Sequence, residues 1–114
     1  MLNRHFDRNP ADDPAKCGLT IVATISWDDT AYQFDETIVW QDNATGGLYM
    51  ASDSGCSCPS PFEDFHCMAD LERVVTIAQI DSLLNQTRPY GPDMDTRNDF
   101  RALVQRKLQE VSNG

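Results

Sequence analysis

The sequence predicts an α+β fold, a three-stranded antiparallel meander followed by two or three helices packed on one face. Three observations predict it. Leu19, Ile21, Ala23, Ile25 and Trp27 recur at every second position, the period of a strand. Turn-forming clusters at 28–30 and 42–47 then divide the chain up to Ala51 into strand-length pieces. From about residue 60 the apolar spacing lengthens to that of a helix.

Each element follows in order. Residues 1–16 hold Pro10, Pro14 and the pair Asp12-Asp13 without an apolar period, and they read as a flexible N-terminal arm ahead of a single domain at 17–114. The first strand places its five odd-numbered apolar residues on one face and Thr20, Val22, Thr24 and Ser26 on the other. Asp28-Asp29-Thr30 turns the chain into a second strand over 32–41, with Phe34, Ile38 and Trp40 as core candidates. After the Asp42–Gly47 loop, Leu48–Ala51 forms a short third strand. Ser60, Pro61 and Glu63 supply a capping serine, a proline at the first helical position and a capping-box acid, which predicts a short helix to about Ala69. Val74-Val75 is too brief to assign. Thr76 caps a helix reaching Asn85, and Arg88-Pro-Tyr-Gly-Pro92 ends it. A last helix starts at Asp95 or Thr96 and carries Phe100, Leu103, Val104, Leu108 and Val111 as an apolar stripe.

Composition narrows the function classes. A chain of 114 residues suits one domain, and 40% hydrophobic content suffices for a core. No apolar run approaches the ~18 residues of a membrane span. The N-terminal segment lacks the apolar stretch of a secretory signal, so the expected location is a cytoplasm. The formal net charge of −9 disfavours nucleic-acid binding, which relies on Lys and Arg at phosphates. The charge is also segregated. From Cys17 to Glu72 there is no Lys or Arg but there are ten Asp and Glu, whereas Arg88, Arg97, Arg101, Arg106 and Lys107 lie near the C-terminus. Such an acidic body suits solubility, a hard-cation site or docking on a basic protein surface.

The segment Asp53–Phe65, DSGCSCPSPFEDF, is the one whose composition folding alone does not explain. Cys56, Cys58, His66 and Cys67 fall within 12 residues, with Cys17 as a further donor. Thiolates and imidazole are zinc ligands, so Cys56, Cys58, His66 and Cys17 are the metal candidates. The C-x-C-x7-H-C spacing differs from the usual fingers, and neighbouring His66 and Cys67 would point apart on a helix. No cofactor is therefore expected, with zinc as the alternative. Cys58, ahead of a helix start, could also be a reactive thiol with His66 as base. Glu63 and Asp64 oppose that by raising a nearby thiol pKa. Adjacent acids Asp28-Asp29 and Asp35-Glu36 point to opposite faces of a strand and make no acid–base pair. No phosphate loop or nucleophile elbow is present, and an enzyme is less expected than a binding protein. Tyr49, directed away from Leu48 and Met50, is a candidate contact aromatic.

Trp40-Gln-Asp, the run GLYMASDSGCSCPSPFEDF from Gly47 to Phe65, and Asp70-Leu71 resemble a family of small uncharacterised proteins encoded by phages of actinobacteria and by some actinobacterial genomes. The resemblance covers about residues 19–86, and its recurring run includes Cys56 and Cys58 but not His66 or Cys67. It implies a phage or prophage accessory protein working in the cytoplasm of a bacterial host. The resulting expectation is a small acidic protein that binds and modulates a host or phage protein without catalysis. Its contact surface would combine Asp28, Asp29, Asp35 and Glu36 with Tyr49 and the cysteine loop, including Cys56, Cys58, Pro59 and Phe62. A thiol-redox or zinc module, and a virion or assembly component, are the alternatives.

Overall fold

A computed structural model describes residues 6, 9–28, 33–56, 65, 67–85 and 93–113. Four strands follow one another in a single antiparallel sheet: β1 (Leu19–Asp28), β2 (Gln33–Asp42), β3 (Leu48–Cys56) and β4 (Glu72–Val74). Two α-helices complete the described fold, α1 (Ile77–Leu84) and α2 (Met94–Asn113). The fold is thus α+β, and the expected meander gains a fourth strand. β4 has only three residues, too few for periodicity to reveal. It forms because β3 offers an open ladder, onto which Val74, Arg73 and Glu72 pair with Leu48, Tyr49 and Met50. Of the helix expected from Pro61 to Ala69, positions 61–64 and 66 lie outside the described residues. Met68–Asp70 forms a 3-10 turn, its start held where Asp70 Oδ2 accepts the Cys67 N–H at 3.2 Å.

The sheet buries side chains on both faces. On one, Ala23, Ile25, Trp27, Val39 and Leu48 pack against Ile80 and Leu83 of α1 and Phe100 and Val104 of α2. On the other, Leu19, Ile38, Trp40 and Ala51 pack with Cys17 and Leu71, flanked by Phe6, Ala11, Phe65 and Met68. Each fully buried aliphatic or aromatic side chain contributes about 1.5–3 kcal/mol relative to exposure, so neither layer is incidental. The stretch read as the end of a flexible arm is laid onto the second face. Pro10 is fully buried, its carbonyl accepts the Trp40 indole N–H at 3.0 Å, and Pro14–Cys17 forms a 3-10 turn closed by Gly18 in the left-handed conformation.

A bulge in β1 corrects the one-face reading of its alternation. Ile21 pairs with Trp40, but Ala23 pairs with Val39, so Val22 is an extra residue in β1. One inserted residue reverses the facing of the residues that follow, here up to a second irregularity between Ser26 and Asp28. Leu19 therefore packs in the layer of Trp40, whereas Ala23, Ile25 and Trp27 pack under the helices. Ile21, expected in the core, is 37% exposed.

The helix boundaries follow from their caps. The Gln79 side chain accepts from the N–H groups of Val75 and Thr76 at 2.7 and 3.1 Å, fixing the start of α1. Asp93 accepts from the Thr96 N–H at 2.9 Å, so α2 starts at Met94, one or two residues before the expected Asp95 or Thr96. Its apolar stripe is narrower than expected: Phe100 and Val104 are buried, Leu108 is partly so, and Leu103 stays 42% exposed. The side chain of Val111 lies outside the described residues.

Candidate functional site

Strand register decides which acids meet. Asp28 ends β1 opposite Asp35 on β2, and Glu36 lies opposite both Ser26 on β1 and Asp53 on β3. Asp28, Asp35, Glu36 and Asp53 thus share one end of three adjacent strands. Like charges directly opposite one another in a sheet are destabilising, so this arrangement is not one that stability alone selects. Asp35 and Glu36 are each partly buried and, as neighbours on a strand, project to opposite faces. Glu36 borders a cleft of about 370 Å³ on the face away from the helices, with Ile21, Thr24, Ser26 and Ile38. Asp29 lies outside the described residues, as does the side chain of Asp28. Asp53 was missed in the sequence because its place opposite Glu36 depends on the register of the second hairpin.

That hairpin is built by its own loop. Asp42 is buried, its carboxylate accepts the Thr45 hydroxyl at 2.9 Å and the Ala44 N–H at 3.3 Å, and Gly46 adopts φ +80°. Gly47 follows, and a β-carbon there would come within 2.9 Å of the Arg73 guanidinium carbon. The same Arg73 guanidinium lies 5.4 Å from the centre of the Tyr49 ring. Tyr49 does face away from Leu48 and Met50, but it is half-buried beside the second core layer under this arginine.

A polar chain, buried at Trp27 and Thr37 and exposed at Ser52, runs across the strands close to the acidic end. The Trp27 indole N–H donates to Thr37 Oγ1 at 3.0 Å, and Thr37 Oγ1 lies 2.6 Å from Ser52 Oγ. Ser52 in turn borders a cleft of about 460 Å³ between β3 and α1, with Met50, Phe65, Asp70, Glu72 and Gln79. Arg97 of α2 stands over Trp27, 5.4 Å from the ring, and donates to the Leu84 carbonyl at 3.0 Å.

The cysteines separate. Cys17 is buried in the second core layer just before β1, whereas Cys56 ends β3 opposite Gln33, at the far end of the sheet. At the usual rise per strand residue the two lie roughly 25 Å or more apart, beyond the reach of one ion. A metal site joining Cys17 to Cys56 is therefore ruled out by the register. Cys58, Pro59, Phe62 and His66 lie outside the described residues, as does the Cys56 side chain. The Cys67 thiol is directed at Asp70 Oδ2, 3.6 Å away. Among the described residues no group of three or more His, Cys, Asp or Glu is placed to hold a metal ion, and no helix is long and apolar enough to cross a membrane.

With this geometry in place, the comparison with known families is specific: a domain of unknown function, DUF7574, matches residues 8–114. The chain belongs to the DUF7574 family. No curated protein and no solved structure gave a match. The DUF7574 region contains all the candidate residues from Cys17 to His66, the buried Pro10 contact and both helices. Apart from Phe6, both layers that sandwich the sheet therefore lie within the DUF7574 region.

Proposed function

We propose that this DUF7574 chain is a small acidic accessory protein, of the kind encoded by phages of actinobacteria, that binds and modulates a host or phage protein without catalysis. It acts in the cytoplasm of a bacterial host. The observation that supports this reading is the gathering of Asp28, Asp35, Glu36 and Asp53 at one end of three strands, within a tract that has no Lys or Arg. Such an end attracts a basic groove over distances of about a Debye length, ~10 Å at 0.1 M salt, and accelerates encounter. Cys56 ends β3 at this same end of the sheet, and the cysteine segment that follows it in sequence belongs to the proposed contact surface.

The test is capture from nuclease-treated actinobacterial lysate by the tagged full chain, read by mass spectrometry. The expected result is one enriched protein released by salt. A variant with Asp28, Asp29 and Asp35 changed to Asn and Glu36 changed to Gln should lose most of that capture. Equal capture by the two, with the same salt dependence, would overturn the acidic-surface reading.

A further inference from the structure

We propose that the cleft of about 370 Å³ on the sheet face away from the helices seats a lysine side chain from a basic segment of the partner protein. Its aliphatic stem lies on isoleucines, and the carboxylates of Asp12 and Glu36 neutralise its ammonium. This rests on the reading of the chain as an acidic binding protein and assigns the chemistry that one part of its surface recognises. The cleft is a product of the β1 bulge. Ser26 pairs with Glu36 and Thr24 with Ile38, so these four residues share a face. The extra Val22 puts Ile21 on that face as well. Ile38 is buried and Ile21 is 37% exposed, so the floor is apolar and partly open to solvent.

The segment before β1 supplies the rest of the lining. Asn9 Oδ1 accepts the N–H groups of Ala11 and Asp12 at 2.8 and 3.4 Å, and the neighbouring Pro10 carbonyl holds Trp40, which fixes Ala11 and Asp12 beside the sheet. Glu36 is partly buried. Among the described residues, neither its carboxylate nor that of Asp12 joins a hydrogen bond or ion pair. Removing water from a carboxylate without a partner costs free energy, which a cation entering the cleft offsets. The isoleucines decide which cation. A divalent ion needs several oxygen ligands, and among the described residues no group of three or more His, Cys, Asp or Glu is placed to hold one. Lysine carries an aliphatic stem that packs on apolar surface while its head stays at the rim. Its ammonium has three donors pointing in different directions, which suit two separate carboxylates better than the planar fork of arginine.

The experiment titrates a tetralysine amide into the full chain at low salt, read by calorimetry and by backbone amide shifts in NMR. The expected shifts centre on Ile21, Thr24 and Ile38. Glu36→Gln and Asp12→Asn should each weaken binding roughly two- to fivefold, the range of a solvent-accessible ion pair. Asp99→Asn, the same loss of charge at an exposed site on α2, should leave it unchanged. A second probe avoids any dependence on variants folding. The corresponding tetramer of 2,4-diaminobutyrate, at a mildly acidic pH where both peptides are fully charged, has the same charge on a stem shorter by two methylenes. It should bind the unaltered chain more weakly, by on the order of fivefold. No binding, shifts centred away from the cleft, or indifference to both Glu36→Gln and Asp12→Asn would each overturn the proposal. Equal affinity for the two peptides would overturn the stem-binding cleft while leaving the acidic surface standing, since capture from lysate tests that surface with no peptide present.

Discussion

The buried Thr37 hydroxyl carries more than its size suggests. Thr37 is 0% exposed, accepts the indole N–H of Trp27 and touches Ser52 Oγ. Valine matches its shape but removes that acceptor, so Thr37→Val should cost about 1–3 kcal/mol in urea unfolding, the range for a buried donor losing its partner. Ser52→Ala, at an exposed position, should cost less. Two carboxylates contribute to the response to acid. The hydrogen bond from Arg101, at 2.6 Å and reinforced by the guanidinium charge against partial desolvation, holds Asp81 below the ordinary carboxylate range. The backbone N–H of Thr96, followed by its hydroxyl, does the same for Asp93. A carboxyl with a lowered folded pKa stabilises fully above its unfolded value, about 3.9, and that contribution fades as pH falls through the folded value. The double variant Asp81→Asn, Asp93→Asn should therefore lose stability less steeply on acidification below about pH 4–5. Identical slopes in the two proteins would remove these groups from the acid response.

At the scale of elements, the β1 bulge predicts an asymmetry between deletions. Val22 is the surplus residue between the Ile21–Trp40 and Ala23–Val39 pairs, so deleting it leaves every other pair in register. That variant should fold cooperatively, with a loss of roughly 1–3 kcal/mol for the lost packing of Val22. Deleting Thr24 instead shifts part of the strand by one residue and turns buried side chains outward, and should abolish cooperative unfolding by circular dichroism. The bulge also marks the limit of what could be read in advance. The first two strands, the start of the third, the Thr76 cap and the long helix to within two residues of its start were legible, because each is written in local period or capping chemistry. β3, however, runs on to Cys56 past the expected end at Ala51. The bulge was not, since an inserted apolar Val22 leaves the apparent alternation of residues 19–27 unbroken. β4 was hidden for another reason: Glu72–Val74 is a strand only because Leu48–Met50 offers it partners. Leu103 fits the helical stripe yet stays 42% exposed, whereas Phe100 and Val104 are buried and Leu108 partly so. Of the candidate site, the acids were legible individually, but the company of Asp53 was not, because it follows from two successive registers.

Across the whole molecule, the second covering layer changes what an N-terminal truncation means. Residues before β1 supply Phe6, Pro10 and Ala11 to the face opposite the helices, and Pro10 is as buried as the central strand residues. Removing residues 1–12 should expose Trp40 and leave Trp27 under α2 untouched. Intrinsic emission should shift to longer wavelength, and the shift should vanish in a Trp40→Phe background; its persistence there would show that the helix layer had opened instead. The chain's two tryptophans hence act as separate optical channels, since Trp27 bonds across the sheet to Thr37 beneath the helices and Trp40 bonds to the Pro10 carbonyl on the opposite face. Single-tryptophan versions would make the protein its own two-colour gauge. A stopped-flow trace of each would time the closing of one side of the sheet independently of the other, with no dye or label attached.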